Sequence, residues 1–297
     1  MKFTENLELM SKKKIWFGIS IAFMVLALLF LIINGLNLGI DFEGGSIIEY
    51  SFSEEVSTEQ VRAVLQDINI ATEAQLQDSS DAEAAEATGI IIRSSELSQD
   101  QIQEINNAMV ANFEGTDLLR SESIGAVIGE ELRMQALLAL LVAGVAIVIY
   151  ISFRFEFKFA IAALMTLAHD VVFTIGIFAL LGREINTAFI AALLTIIGYS
   201  INDTIVIFDR IRENMKLHKR SSFAELANRA VVDTLPRSIN TSMTTLVAIL
   251  AIYLFGGAAI QTFMLALFVG MAVGTYSSIF VASPILVGWQ ERVESVQ

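Results

Sequence analysis

The stretch Ile15-Trp16-Phe17-Gly18-Ile19-Ser20-Ile21-Ala22-Phe23-Met24-Val25-Leu26-Ala27-Leu28-Leu29-Phe30-Leu31-Ile32-Ile33-Asn34 carries no charge and decides the class of fold. At a helical rise of about 1.5 Å per residue it reaches across ~30 Å of hydrocarbon. Lys12, Lys13 and Lys14 precede it, as in a signal peptide. The apolar run exceeds a signal core, and Asn34-Gly35-Leu36-Asn37 offers no small-x-small cleavage pattern, so an uncleaved anchor is expected.

Outward from this run the same signal recurs. Apolar stretches at 134–153, 159–181, 187–207, 239–257 and 260–285 are each long enough to span, the last tilted or bent. Hydrophobic residues make up 55% of the 297-residue chain and charged residues 17%, where a soluble domain carries about a quarter. The expected fold is therefore an α-helical membrane protein of six transmembrane helices. There is no cysteine, so disulfides and thiolate-bound metals are excluded.

Basic residues orient the chain. With the N-terminus inside, 14 of the 19 Lys and Arg fall on cytoplasmic segments, and Arg62, Arg93, Arg120, Arg133 and Arg183 fall outside. The expected organisation is a cytoplasmic N-terminus (1–14), a first span (15–34) and an acidic extracytoplasmic domain (35–132). A bundle of five spans (133–285) follows, with a cytoplasmic loop at 208–238, and then a cytoplasmic C-terminus (286–297). Residues 36–132 hold 20 Asp and Glu against three Arg, a net of −17, so the remainder of a chain at −13 sums to +4. That acidity reads as a solubilising surface, as a repulsion of anionic lipid headgroups or as an attraction for basic client segments.

Within the acidic domain, Gly45–Ser53 alternates like a strand, and Ser57 with Gln60 fits a capping box opening a helix to Asp67. A weak strand is expected over Glu73–Gln77, a loop over Asp78–Thr88 and a buried strand at Ile90-Ile91-Ile92. Ser98 with Gln101 opens a helix to Phe113, and Thr116–Ser123 is the last strand. The order β-α-β-β-α-β is that of a small ferredoxin-like α+β unit. With no His, no Cys and scattered carboxylates, it shows no catalytic constellation.

Ionisable groups inside hydrocarbon are costly and by default functional. His169 and Asp170 lie in the third span, Asn202 and Asp203 in the fourth, and Arg237 starts the fifth. Helical spacing aligns Thr195, Tyr199, Asn202 and Asp203. It also aligns Arg237, Thr241, Thr244 and Thr245, and Met271, Thr275 and Ser278 beside Gly270 and Gly274. Such hydroxyls and small residues otherwise serve as packing contacts between helices. A carboxylate at Asp203 must be protonated, paired or wet, which suits proton coupling or a static ion pair. His169 and Asp170 suit a relay or an interhelical hydrogen bond. No Gly-x-x-x-x-Gly-Lys-Ser/Thr loop is present to cradle a nucleotide. Between the fourth and fifth spans, Ser222 and Glu225 form another capping box. The apolar face Phe223, Leu226, Ala227, Ala230 and Val231 predicts a separate helix lying on the inner surface or docking a partner.

These residues carry a resemblance. Gly39-Ile40-Asp41-Phe42-Glu43-Gly44-Gly45 resembles the Gly-Ile-Asp-Phe-x-Gly-Gly motif of the SecD/SecF family. Ala168-His169-Asp170-Val171 resembles its third-span motif, and Gly198-Tyr199-Ser200-Ile201-Asn202-Asp203-Thr204 through Phe208-Asp209-Arg210-Ile211-Arg212-Glu213-Asn214 its fourth-span signature. Leu235-Pro236-Arg237-Ser238, Thr241–Thr245 and Gly274–Phe280 are similar to its fifth and sixth spans, with Ser238 where Thr is common. Length and the single compact domain resemble the SecF branch. The resemblance implies an RND-like half that pairs with SecD and associates with the SecYEG channel and YajC. It implies late translocation of unfolded polypeptides across the bacterial inner membrane, assisted by the proton-motive force, with Asp203 and Arg237 in the proton path. No enzyme activity, cofactor, metal or nucleic-acid partner is expected. Gly39, Gly44 and Gly45 suit a tight turn, with Asp41 and Phe42 as turn or hinge residues. Gly198, with Gly270, Gly274 and Ser278, suits close helix packing.

Two other readings fit parts of the pattern. One is an RND-like exporter half for small molecules or lipids, against which the exported domain is small and only one is present. An intramembrane aspartyl protease would use two Asp in adjacent spans, but its Tyr-Asp and Gly-x-Gly-Asp motifs are missing here.

Overall fold

The computed structural model describes residues 7–68, 70, 75–79 and 88–295, in two compact units: one of residues up to 37 and from 138 on, the other of residues 38–137. The chain opens with a 3-10 turn, Met10–Lys12, and helix α1, Lys13–Asn34. The second unit begins with a single turn, α2 (Ile40–Glu43), then β1 (Gly45–Phe52), α3 (Thr58–Asp67), β2 (Gln75–Ser79), β3 (Thr88–Ser94), α4 (Gln99–Asn112) and β4 (Asp117–Ile124). The sheet order is β2-β3-β1-β4 with every neighbouring pair antiparallel, as in a split β-α-β unit.

Alternation decides which face of this sheet is buried. Ile48 pairs with Ile92 and Tyr50 with Ile90, and all four turn into a core with Phe52, Val61, Leu65, Ile105 and Met109. Both expected capping boxes form, Ser57 with Gln60 and Ser98 with Gln101, and they satisfy backbone N–H groups that a helix start leaves orphaned. The weak strand expected at 73–77 lies at 75–79. The expected loop at 78–88 falls mostly on 80–87, outside the described residues.

Helix α5 (Ala126–Arg154) leaves this unit and enters the bundle of α6 (Phe157–Leu181), α7 (Thr187–Leu217), α8 (Phe223–Phe255) and α9 (Ala258–Ser277). A π turn, Ser278–Ala282, and α10 (Ser283–Glu294) complete it. Among the described residues six helices are long and apolar enough to cross a membrane, which makes this a multi-pass membrane protein. Their burial differs: 44% of the most apolar window is buried in α6 and in α7, against 11% in α1 and 6% in α5. The apolar side chains that α1 and α5 leave exposed suit lipid. The bundle core at one end is a ring cluster, with Phe159 and Phe155 each set edge-on to Phe208.

Two expectations about the connections need correction. The loop expected at 208–238 is helical except for residues 218–222, because α7 continues to Leu217 and α8 starts at Phe223. The separate surface helix predicted from Ser222 is instead the start of α8, with Pro236 inside it. Pro236 forgoes one backbone hydrogen bond, and membrane-span helices tolerate this. What outweighs the loss is burial: Leu226, Ala227, Ala230 and Val231 are enclosed within the bundle. The Asn228 side chain accepts from the Leu9 and Met10 amides (2.7 and 3.1 Å) and donates to the Leu7 carbonyl (2.8 Å). The apolar face that suggested a membrane surface covers the protein's own first segment.

Candidate functional site

Helical periodicity puts polar groups of α6, α7 and α9 on facing sides, and they meet at Asp170. This carboxylate is 1% exposed. Its Oδ2 accepts from Ser200 Oγ on α7 (2.7 Å) and from Ser277 Oγ on α9 (2.8 Å), and Oδ1 lies 3.1 Å from Nδ1 of His169. Both oxygens are thus occupied by three side chains from three helices. Close approach is possible because α9 presents glycines there. A Cβ at Gly274 would stand 3.1 Å from Ser200 Cβ, and one at Gly270 would overlap the Ile196 side chain at 2.2 Å. One turn on, Thr204 and Ser278 hydroxyls bond at 2.9 Å, and Ser278 opens the π turn. A π turn inside a helix often marks a functional position.

Asp203 is placed differently. It is half-buried on α7; its Oδ1 accepts from Ser238 Oγ on α8 at 2.6 Å, while its Oδ2 is buried without a hydrogen-bond partner. Arg237, the residue before Ser238, acts on Asp203 electrostatically, yet among the described residues no N···O contact within 4.0 Å joins them. Arg237 also lines a cleft of about 400 Å³ with Val206, Asp209, Arg210, Glu213, Asp233 and Thr234. An unpaired buried carboxylate oxygen is expensive, and it is relieved by a proton, a water or a donor from another chain.

The other expected site residues sort into groups. Asn202 and Thr241 are exposed, and Thr245 bonds the Thr241 carbonyl of its own helix (2.9 Å), so none of them reaches Asp203 within this chain. His169 and Asp170 belong to a cluster separate from Asp203 and Ser238. Gly270, Gly274 and Ser278 do pack helices together. Gly198 does not, because a Cβ there would meet nothing within 4 Å. In the glycine motif, Gly39 is extended (φ −76°), Asp41 sits in the turn and Phe42 is buried. Gly44 and Gly45 take φ of +76° and +126°. A Cβ on Gly44 would lie 2.8 Å from Ala126 Cα, and one on Gly45 would lie 2.7 Å from the Ser94 carbonyl oxygen. Glycine is therefore required twice at positions 44 and 45, by conformation and by space.

Sequence reading passed over Ser200, Ser238 and Ser277 as site residues. Ser200 and Ser238 sit inside recognised motifs, and Ser277 adjoins Ser278. Each is one residue or one turn from a residue already singled out, and a serine next to a buried carboxylate is the available signal.

The chain matches the family described as "Protein export membrane protein SecD/SecF, C-terminal" over residues 103–292, and the "SecD/SecF GG Motif" over residues 29–56. It is 41% identical to the protein translocase subunit SecF of Desulfurispirillum indicum over 279 residues, 93% of this chain and 89% of that protein. It is 41% identical to the protein translocase subunit SecDF of Thermus thermophilus, covering 87% of this chain and 35% of that protein. The crystal structure of SecDF from Thermus thermophilus, a translocon-associated membrane protein, superposes with a TM-score of 0.86 at 37% identity. That match covers 98% of this chain and 40% of the other. The chain thus spans well under half of the SecDF proteins it matches and nearly all of SecF. With its six spans, glycine motif and matched bundle, the chain belongs to the SecD/SecF family of protein export membrane proteins.

Proposed function

We propose that the chain is one half of a proton-driven export machine, and that Asp203 is the group that loads and releases the proton. The observation that carries this is the unpaired Asp203 Oδ2, buried beside a single hydroxyl donor and within the field of Arg237. A group held in that way changes its protonation when its surroundings change. Asp170, with both oxygens occupied, holds helices together instead. Each elementary charge moved through the membrane field is worth about 2.3 kcal/mol per 100 mV, so a few protons suffice for a conformational change.

The second half is a SecD-type subunit, supported by the SecDF relatives in which a matching region accounts for 40% or less of a longer chain. Thr195, Asn202, Thr241 and Thr244 are exposed on membrane-crossing helices. Polar groups there are best placed against protein, and they mark the side on which the partner's helices pack. Around this pair stand the SecYEG channel, YajC and the unfolded polypeptide in transit. The acidic domain lies outside the bacterial inner membrane, with both termini in the cytoplasm.

The test is export of a model polypeptide by the reconstituted complex in vesicles with an imposed proton gradient. Asp203→Asn abolishes the proton-dependent component while leaving insertion and partner binding intact; a wild-type, proton-dependent rate in that variant rejects the role. Replacing the proton gradient with a sodium gradient identifies the coupling ion.

A further inference from the structure

Helices α7 and α8 are longer than a membrane requires. They have 31 and 33 residues, so at a helical rise of about 1.5 Å they reach ~46 and ~50 Å, against ~30 Å of hydrocarbon. The surplus falls at the end where residues 218–222 join them. There Arg154, the last residue of α5, donates to Asp209 Oδ2 on α7 at 3.0 Å, and charges at that level mark the edge of the apolar layer. Beyond it α7 continues through residues 210–217, and α8 runs through 223–232 before it reaches Asp233, which adds about 12–15 Å. A headgroup layer is about 5–8 Å deep, so the tip of this hairpin stands clear of it.

The hairpin is braced. Arg210 on α7 donates to Asp233 Oδ2 on α8 through both Nε (3.0 Å) and Nη2 (2.7 Å). Nearer the tip, Asn214 is 1% exposed and donates from Nδ2 to the Leu226 carbonyl at 3.3 Å. Ile211, Ala227 and Ala230 are fully buried beside it. Arg229 Nη1 donates to His218 Nε2 at 2.8 Å across the turn, and Ser222 with Glu225 caps α8.

What this scaffold presents is basic. From Asn214 to Ser222 there is no acidic residue, in a chain of net charge −13. Lys216, Lys219 and Arg220 are exposed, and among the described residues none of them makes an ion pair. Leu217 stands among them, 64% exposed and beyond the hydrocarbon. Basic residues near span ends orient a membrane protein, and that accounts for the charge. It does not account for a bare leucine on a braced hairpin. An apolar side chain ringed by charge is an anchor inside a polar rim, as in protein–protein contacts. Lipid headgroups lie behind the tip. No Phe, Tyr or Trp lies between Asn214 and Ser222 to stack on a nucleic-acid base.

We propose that the α7–α8 tip is a docking knob for an acidic, amphipathic segment of a protein partner. Carboxylates of that segment meet Lys216, Lys219 and Arg220, and its apolar face covers Leu217. The inference goes beyond the export reading and stands whether or not Asp203 carries protons.

The probe is a labelled helical peptide of Glu and Ala with leucines along one face. It is added to the full chain, purified with its SecD-type partner in neutral detergent, and followed by fluorescence anisotropy. The wild type binds the peptide, more weakly as salt rises. Lys219→Glu combined with Arg220→Glu weakens binding by about tenfold or more. Leu217→Ser weakens it several-fold, and only for the peptide with leucines, not for one in which serines replace them. Arg292→Glu, an exposed charge near the end of α10, leaves binding unchanged. Wild-type affinity in the doubly reversed variant overturns the knob, as does an equal loss in Arg292→Glu. A wild type that ignores the peptide also overturns it and leaves the charges to orient the chain. Phosphatidylglycerol vesicles or duplex RNA that bind more tightly than the peptide, with loss on the same reversal, overturn it in favour of lipid or nucleic acid.

Discussion

Ser238 Oγ, on α8, donates to Asp203 Oδ1, on α7, at 2.6 Å, and it is the one hydrogen bond on this carboxylate among the described residues. It ties the charge to the turn that carries Arg237. Hydrogen bonds to charged groups contribute about 1.5–3 kcal/mol. Ser238→Ala should therefore lower proton-driven export by roughly tenfold or more and alter its pH profile, with about 1.4 kcal/mol corresponding to each factor of ten. Ser238→Thr, which keeps the hydroxyl, should retain the wild-type profile. Export rate against pH in vesicles is the measurement.

Asp170 predicts the opposite division between stability and coupling. Asp170→Ala leaves the Ser200 hydroxyl and His169 Nδ1 without their partner inside a closed three-helix contact, while the Ser277 hydroxyl keeps the Gly274 carbonyl of its own helix at 3.1 Å. Each stranded buried polar group costs about 1–3 kcal/mol. Asp170→Ala should lower the unfolding temperature in detergent clearly, and Asp203→Ala much less. Equal losses would show that the two carboxylates share one structural role.

At Gly44 the conformational and steric demands add. Gly44→Ala forces an L-residue to φ +76° and sets its Cβ 2.8 Å from Ala126 Cα. A non-glycine residue held at φ +76° and ψ 168° costs roughly 1–3 kcal/mol by conformation alone. Gly35 has φ +70° with open space around it and provides the control. Gly44→Ala should raise hydrogen exchange in β1 and α2 well beyond the effect of Gly35→Ala.

The acidic domain has a titration of its own. Burial pushes the Tyr50 phenol from 10.0 up to about 12, because the fold excludes the phenolate. The unfolded chain therefore loses its proton first. The stabilisation is intact below pH 10.0 and falls between 10.0 and about 12. That loss amounts to roughly 2–3 kcal/mol at 1.36 kcal/mol per unit. Tyr50→Phe should flatten this alkaline limb in the exchange of β1 and β3 amides.

Hydropathy is a local property, so the sequence alone determined the six spans, the acidic domain and the order of its strands and helices. Capping boxes at Ser57, Ser98 and Ser222 were legible for the same reason, since a cap needs only four consecutive residues. Asp170 and Asp203 look alike in sequence, each an acid in an apolar run. Tertiary structure alone separated them, because the donors belong to other helices: Ser200 and Ser277 for one, Ser238 for the other. It also decided that α8 runs through Pro236, where burial of Ala227, Ala230 and Val231 against the bundle overrides a local break. Which residues meet across helices depends on the phase and approach of each helix, and no short stretch of sequence contains that.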